Sequence, residues 1–169
     1  MSTDASGITG EVTVELRDKD GNLKHREVIK NLITQVGDQL YGERGAGIGS
    51  PPAVPTGMKL GTGSTAVAKT GAGAALVTYL SNSHQAFDAT YPQSSLGSGR
   101  VITYKVTYAA GKATSASTQI TECVIVNDAL ADATSTAANT VSRVLLASPT
   151  TKQSTDTLTV TWTHTLLGS

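Results

Sequence analysis

The stretch Thr157-Leu158-Thr159-Val160-Thr161-Trp162-Thr163-His164-Thr165-Leu166 places a threonine at every second position. Successive side chains of a strand point to opposite faces, so this stretch has one face of hydroxyls and one mostly apolar face. The period of two excludes a helix, and threonine, valine and tryptophan favour strands. We therefore predict a long antiparallel strand with Trp162 in a core and the threonines facing outward or toward a neighbour.

Other segments of the chain show strand patterns and are separated by turn signals. Asp20-Gly21 suits a tight hairpin turn, and the polar return strand after it is expected at a sheet edge. This pattern predicts a mainly β protein, an antiparallel β-sandwich or jelly roll with one short N-terminal helix. The predicted strands are 11–17, 23–29, 58–60, 100–108, 117–126, 141–147 and 157–166, with a break at 148–152.

The helix is predicted over residues 32–43, with Asn31 as its N-cap, because apolar residues there recur at helical spacing. Residues 66–75 are small and are expected to be flexible, and 76–80 are expected to form a short strand or a helical turn. Residues 81–99 are predicted to form a long surface loop. Two units follow: a flexible N-terminal arm over 1–10, and a single β-sandwich domain over 11–169 with an early hairpin and helix.

Composition limits the possible partners. Only 15% of the residues are charged and the formal net charge is zero, which argues against an electrostatic grip on nucleic acid or on an anionic membrane. No apolar run is long enough to span a membrane, and the first residues do not have the pattern of a signal peptide. A single cysteine, Cys123, rules out a disulfide within the chain.

The sequence predicts no catalytic, cofactor-binding or metal-binding residues. His25, His84 and His164 belong to different predicted elements and form no metal-spacing pair, and His164 is expected to be a partly buried strand residue near a sheet end. Cys123 is interpreted as a small buried hydrophobic residue. No serine lies in a Gly-x-Ser-x-Gly elbow, and no pair of acids marks acid–base catalysis.

Three further patterns favour ordinary structure over a site. Asp18, Asp20 and Asn22 resemble the start of a calcium loop, but the glycine and the acidic residue that an EF-hand needs are missing from its sixth and twelfth positions. The segment 63–70 lacks the glycine directly before the lysine that a phosphate loop requires. Tyr104 and Tyr108 share a strand face without a basic stripe, so core or interface packing is favoured over base stacking.

The order of three groups of segments resembles small virion structural proteins of tailed bacteriophages, which decorate capsids or form tail appendages. The first group is Leu16-Arg17-Asp18-Lys19-Asp20-Gly21-Asn22 followed by Ile29-Lys30-Asn31-Leu32-Ile33. The second is Leu60-Gly61-Thr62-Gly63-Ser64-Thr65 after a proline-bearing loop. The third comprises the segments 121–128, 143–152 and 156–162, although the 123–126 part departs from the resembling proteins, where a small residue, a glycine and an aromatic are expected.

The resemblance implies a β fold in the C-terminal half, a non-enzymatic role in a virion assembled in the host cytoplasm, and no catalytic residues to carry over. A capsid decoration or cement protein is favoured, because the chain is short and has no coiled-coil or collagen-like shaft. It would bind the major capsid protein or another virion protein, with its arm or early hairpin reaching a neighbouring subunit.

The alternative is a tail fibre, receptor-binding or minor tail appendage protein whose 81–99 loop touches the host. A homo-oligomer is expected, most plausibly a trimer. An enzyme or carbohydrate-binding module is the weakest alternative, because surface aromatics are scarce.

Overall fold

The computed structural model describes residues 7–97 and 99–166, and these form two antiparallel sheets of five strands each. The first sheet has the strand order β2–β1–β10–β7–β6, and the second has the order β3–β9–β8–β4–β5. A single α-helix, α1, spans Gln35–Ala46. The predicted mainly β, antiparallel sandwich with one short helix near the N-terminus is therefore confirmed. The strands are β1 Ile8–Arg17, β2 Leu23–Lys30, β3 Leu32–Ile33, β4 Gly57–Gly61, β5 Gln85–Ala86, β6 Gln93–Leu96, β7 Arg100–Tyr108, β8 Ile120–Val126, β9 Thr140–Thr150 and β10 Thr157–Leu166.

Strand β10 is the centre of the first sheet. It pairs along its whole length with β1 on one side and with β7 on the other, so that Trp162 lies between Val12 and Tyr104. Trp162 is fully buried, whereas the threonines of β10 are half-exposed on the outer face of the sheet. The alternation seen in the sequence thus predicted both the strand and its orientation correctly.

The main core fills the space between the two sheets. Apolar side chains of the first sheet meet Met58, Leu60, Cys123 and Ile125 from the second sheet. Burial raises the pKa of the Cys123 thiol, which confirms its interpretation as a small buried hydrophobic residue. The first sheet contributes Val12, Val14, Leu16, Tyr104, Val106, Tyr108, Leu158, Val160 and Trp162.

A third layer, which the sequence patterns do not predict, covers the outer face of the second sheet. Residues 62–79 and 128–139 cross this face and enclose a small second apolar cluster. The buried Arg143 guanidinium donates to Glu122 Oε2 from Nε (3.0 Å) and Nη2 (2.7 Å), and from Nη1 to the Gly73 carbonyl oxygen (3.0 Å). Glu122 Oε1 accepts from the Gly63 amide, so each charge of this buried pair has hydrogen-bond partners. The layer makes residues 66–75 part of the fold, with a 3-10 turn at Gly71–Ala74 in place of the expected flexible segment.

The helix begins three residues later than predicted. Leu32 and Ile33 pair with Arg143 and Ser142 of β9 as a short strand, so their apolar side chains belong to a sheet and not to a helical face. Thr34, not Asn31, is the N-cap: its hydroxyl oxygen accepts from the Gly37 amide at 3.2 Å. The spacing misled because strand residues directly before a helix can continue its apolar pattern by coincidence.

Other boundaries also differ from the predictions. Strand β1 begins at Ile8, because residues 8–10 pair with 164–166; of the predicted arm, residues 1–6 lie outside the described residues. The segment 81–99 contains β5 and β6, which join it to both sheets, so it is not simply a loop. Strand β9 continues to Thr150, through the first three residues of the predicted break at 148–152, whereas β8 begins at Ile120 and not at residue 117.

Candidate functional site: the open edge and the apolar end

The outer edge of β2 is open along the first sheet. Among the residues that the structure describes, this strand pairs only with β1, and the hairpin that joins them turns at Gly21, whose φ of 85° suits glycine. Hydrogen bonds from the side chain and backbone of Asn22 hold the pKa of Asp18 below its ordinary value. The Asp18 carboxylate therefore organises the turn, in agreement with the interpretation of Asp18, Asp20 and Asn22 as a plain turn.

The solvent face of β2 combines apolar and cationic side chains. Val28 is 44% exposed. Lys24, Arg26 and Lys30 stand at every second position of the strand and share its exposed face. Lys24 Nζ reaches the buried Asp156 carboxylate at 2.7 Å, and Arg26 Nε lies 3.6 Å from Glu15. The other face of β2 turns inward, where Glu27 accepts from the amides of Ala147 and Ser148 of β9. Glu27 thus holds the inward face of β2 against β9, while the outer edge of the strand is open, as strand addition requires.

A second surface lies at one end of the sandwich, where the first sheet extends beyond the core. The terminal row of paired residues is Ile8, Leu166, Arg100 and Leu96, taken from β1, β10, β7 and β6. Directly paired residues of antiparallel strands share a face, so the row lies on the face that carries His164 and Trp162 further in. We call this surface, together with the groove described next, the end face.

An apolar groove of about 560 Å³ opens between this row, helix α1 and the loop before β4. Val54 on the loop is 55% exposed. A shallower depression of about 360 Å³ adjoins the groove through Tyr41 and Leu166, with Asp38 at its rim. The groove is lined by Leu40, Tyr41, Arg44, Gly45, Val54, Pro55, Pro92, Tyr104 and Leu166.

Two tyrosines of the groove begin a chain of hydrogen bonds that runs into the core. The Tyr41 hydroxyl lies 2.8 Å from the Tyr104 hydroxyl and 2.7 Å from His164 Nδ1, and His164 Nε2 lies 2.8 Å from Ser142 Oγ. Burial lowers the pKa of His164 to about 3 and raises the pKa of both tyrosines. At neutral pH the histidine is therefore uncharged, with one ring nitrogen donating and the other accepting.

This chain has the order of a nucleophile, a base and a third group, but the position of the serine makes it structural. Ser142 and His164 are both fully buried between the sheets, so a substrate in the groove does not reach the Ser142 hydroxyl. The chain instead ties α1, through Tyr41, to β9 and β10 of the two sheets. His164 was predicted to be partly buried and is fully buried, and nothing in its local sequence indicates partners 123 and 22 residues away.

The other candidate residues are dispersed. His84 lies in the segment before β5, where its Nδ1 is 2.9 Å from the Tyr79 hydroxyl, and His25 lies on the inward side of β2. The segment 63–70 is part of the third layer, and Tyr104 and Tyr108 are buried in the core. Across residues 7–97 and 99–166, no group of three or more histidine, cysteine or acidic side chains is placed to hold a metal ion.

Within the described residues, no helix is long and apolar enough to cross a membrane. Comparison of the chain with protein-family models, with curated proteins and with solved structures found no match.

Proposed function

We propose that the chain is a non-enzymatic structural protein of a tailed-phage virion, and that it decorates the assembled capsid and stabilises it. The observation that carries this proposal is the open edge of β2, an eight-residue strand with an exposed apolar side chain and three cations on its solvent face. The order of the sequence segments supports the assignment to a phage virion. The open edge supports a role in which the molecule adds buried surface to a larger assembly.

The edge is better suited to another protein than to a second β2 strand. In a two-fold antiparallel pair of β2 strands, the registers with most overlap place Lys24 opposite Lys30 or Arg26 opposite Arg26. Like charges directly opposite each other destabilise a strand pair. An extended segment of the shell protein with acidic residues and an apolar side chain opposite Val28 would satisfy the same edge. Backbone hydrogen bonds would then provide affinity and the side chains would provide specificity.

Decoration requires only modest affinity from each copy. Copies linked in an oligomer bind a repetitive shell with high effective concentration, so several weak edge contacts can act together. The zero net charge of the chain provides little long-range steering, and short-range apolar and strand contacts carry the binding. We therefore expect the protein to bind assembled shells and not free capsid subunits.

The absence of enzymatic activity is part of the proposal. The burial of Ser142 and His164 supports it, because the hydrogen-bonded chain that they form is sealed from solvent. Turnover of cell-wall glycan or peptide by the purified protein, lost on changing a single acidic residue, would contradict this part.

The test is to mix the protein with shells stripped of decoration, sediment them and count the bound copies. The wild type should sediment with the shells, and Val28→Asp should bind at least tenfold more weakly. Val77→Asp is the matched control, because Val77 is similarly exposed but lies on the third layer, away from β2; it should bind as the wild type does. Wild-type protein that stays in the supernatant with every shell would overturn the proposal.

Copy number separates decoration from the alternative role in a tail. Hundreds of copies per virion are expected of a decoration protein. A handful of copies confined to the tail would instead favour a tail fibre, receptor-binding or minor tail appendage protein. The segment 81–99 would then be the region to test against host surfaces.

A further inference from the structure

We propose that the side chains of Lys59 and Asp128 condense to a covalent amide, a cross-link that fixes the third layer to the second sheet. Lys59 lies in β4, and Asp128 follows β8 in the segment 128–139 that crosses the outer face of that sheet. Lys59 Nζ is 3.5 Å from Asp128 Oδ1. The two reactive groups are therefore in contact at the boundary between the sheet and the layer that covers it.

The contact is buried beneath the third layer. Lys59 pairs in register with Val124, and directly paired residues share a face, so its side chain points toward the second apolar cluster. Only 1% of the Lys59 side chain and 18% of the Asp128 side chain are exposed. The centre of the Tyr79 ring is 5.9 Å from Lys59 Nζ. Such apolar surroundings disfavour the charged forms of both groups.

As an ion pair this contact is incomplete. Among the residues that the structure describes, Asp128 Oδ1 is buried and accepts no hydrogen bond, and Lys59 Nζ donates instead to the Ala133 carbonyl oxygen at 3.0 Å. The other buried pair of this layer, Glu122 and Arg143, has hydrogen-bond partners for both charges. A guanidinium keeps its proton, whereas a buried lysine can lose one and become a nucleophile. The layer thus holds one complete pair that cannot condense and one incomplete pair that can.

The condensation balances without an oxidant, a reductant or a co-reactant. Transfer of one proton from the Lys59 ammonium to Asp128 Oδ1 gives a neutral amine and a carboxylic acid. The amine lone pair attacks Asp128 Cγ, so that the Nζ–Cγ bond forms and the Cγ–Oδ1 bond breaks. Oδ1 leaves as water with the acid proton and one proton of the amine. The product is a neutral amide that keeps Oδ2 as its oxygen.

Ser135 is placed to assist this step. Its hydroxyl donates to Asp128 Oδ2 at 2.8 Å, and Ser135 is itself buried in the third layer, where its carbonyl oxygen accepts from the Leu76 amide. When the amine adds to Cγ, negative charge develops on Oδ2, and a hydroxyl already directed at this oxygen stabilises it. The two carboxylate oxygens therefore have different roles: Oδ2 is held by Ser135, and Oδ1 is free to leave.

The amide would join β4 to the crossing segment 128–139. A cross-link that closes a loop stabilises a protein mainly by restricting its unfolded chain, as a disulfide does. The single cysteine, Cys123, cannot provide a disulfide within this chain. The amide would therefore hold the third layer in place under conditions that break ion pairs, such as high salt or acid.

The test is the intact mass of the purified full chain, measured after denaturation. The wild type should be lighter than the mass of its sequence by one molecule of water, whereas Lys59→Arg and Asp128→Ala should each have their full sequence mass. Lys24→Arg is the matched control, because Lys24 also contacts a carboxylate, that of Asp156 at 2.7 Å, but is half-exposed; it should keep the loss of water. Ser135→Ala should leave part of the chains unreacted.

Fragment mass spectrometry of a tryptic digest locates the bond. We expect a branched peptide that contains Lys59 and Asp128, with no cleavage after Lys59. A wild type at its full sequence mass would overturn the proposal even where a variant fails to fold. A loss of water located at Asp20-Gly21, where a succinimide would give the same mass, would overturn it as well. No shells are used, so neither result depends on whether the chain decorates a capsid.

Discussion

Trp162 shows how a single buried side chain organises the first sheet. It lies in the middle of β10, fully buried, with Val12 and Tyr104 directly opposite on the two neighbouring strands. Trp162→Ala would remove the largest fully buried side chain and leave a cavity. We expect the free energy of unfolding to fall by about 3 to 5 kcal/mol, measured by urea denaturation.

Thr161→Ser is the matched control for Trp162. Thr161 is adjacent in sequence but lies on the half-exposed outer face, so its substitution should change stability by less than about 0.5 kcal/mol. If Trp162→Ala melted within two degrees of the wild type, the inner face of β10 would not be a core face.

His164 makes stability depend on pH, because the folded chain keeps it neutral. Above its ordinary pKa of 6.5, neither the folded nor the unfolded chain protonates this side chain. Below that value the unfolded chain binds a proton that the folded chain does not bind until about pH 3. Stability is therefore complete above pH 6.5 and is lost as the pH falls, by up to about 1.4 kcal/mol per pH unit.

Urea denaturation at two pH values would measure this effect. Between pH 6.5 and 4.5 we expect the wild type to lose about 2 to 3 kcal/mol. This window lies above the ordinary pKa of aspartate, so loss of carboxylate interactions contributes little there. His164→Gln should be less stable at neutral pH but should lose much less on acidification. An equal loss in both proteins would contradict the neutral, buried assignment.

Residue types and their alternation predicted the position of Trp162 but not the partners of His164. Alternation reports which face a side chain takes, and it was sufficient for the threonines and Trp162. The hydrogen bonds of His164 join β10 to Tyr41 on α1 and to Ser142 on β9. Such a pairing depends on how elements pack, and no local spacing encodes it.

At the scale of elements, Gly37 marks the point where α1 packs closely against β9. An added Cβ there would lie 2.4 Å from the Val141 carbonyl oxygen and 2.6 Å from Ile33 Cγ2. Gly42 is in the same helix, and a Cβ there would meet nothing within 4 Å. Close approach of α1 to β9 therefore requires glycine at the first position and not at the second.

This difference gives opposite expectations for the same substitution. Gly42→Ala should stabilise the protein by about 0.4 to 1 kcal/mol, because alanine is the better helix former. Gly37→Ala gains the same propensity but must displace the backbone of β9, so we expect a net loss of about 1 to 3 kcal/mol. Thermal denaturation of both variants measures the difference, and equal shifts would contradict the close packing.

The main strands were predicted well, whereas the segments that cross the second sheet were not. Strands β1, β7 and β10 were found with small errors at their ends because one face of each is buried. Residues 62–79 cross the outer face of the second sheet with few regular hydrogen bonds, so no period marks them. The buried pair of Glu122 and Arg143 was not predicted for the same reason, because it is covered by these crossing residues.

At the scale of the whole molecule, the edge proposed to meet the particle and the end face belong to different parts of the first sheet. Strand β2 is one edge of the sheet, whereas Leu96, Leu166 and Ile8 mark one end of its strands. Substitutions on the end face should therefore leave the proposed binding of β2 to the particle intact.

A reconstruction of virions whose genome encodes this chain tests the central claim most directly. The account predicts density for the sandwich at symmetry-related positions over the capsid, in hundreds of copies. The β2 edge should face the shell. Density confined to the tail, or a capsid surface without this chain, would contradict the assignment as a decoration protein.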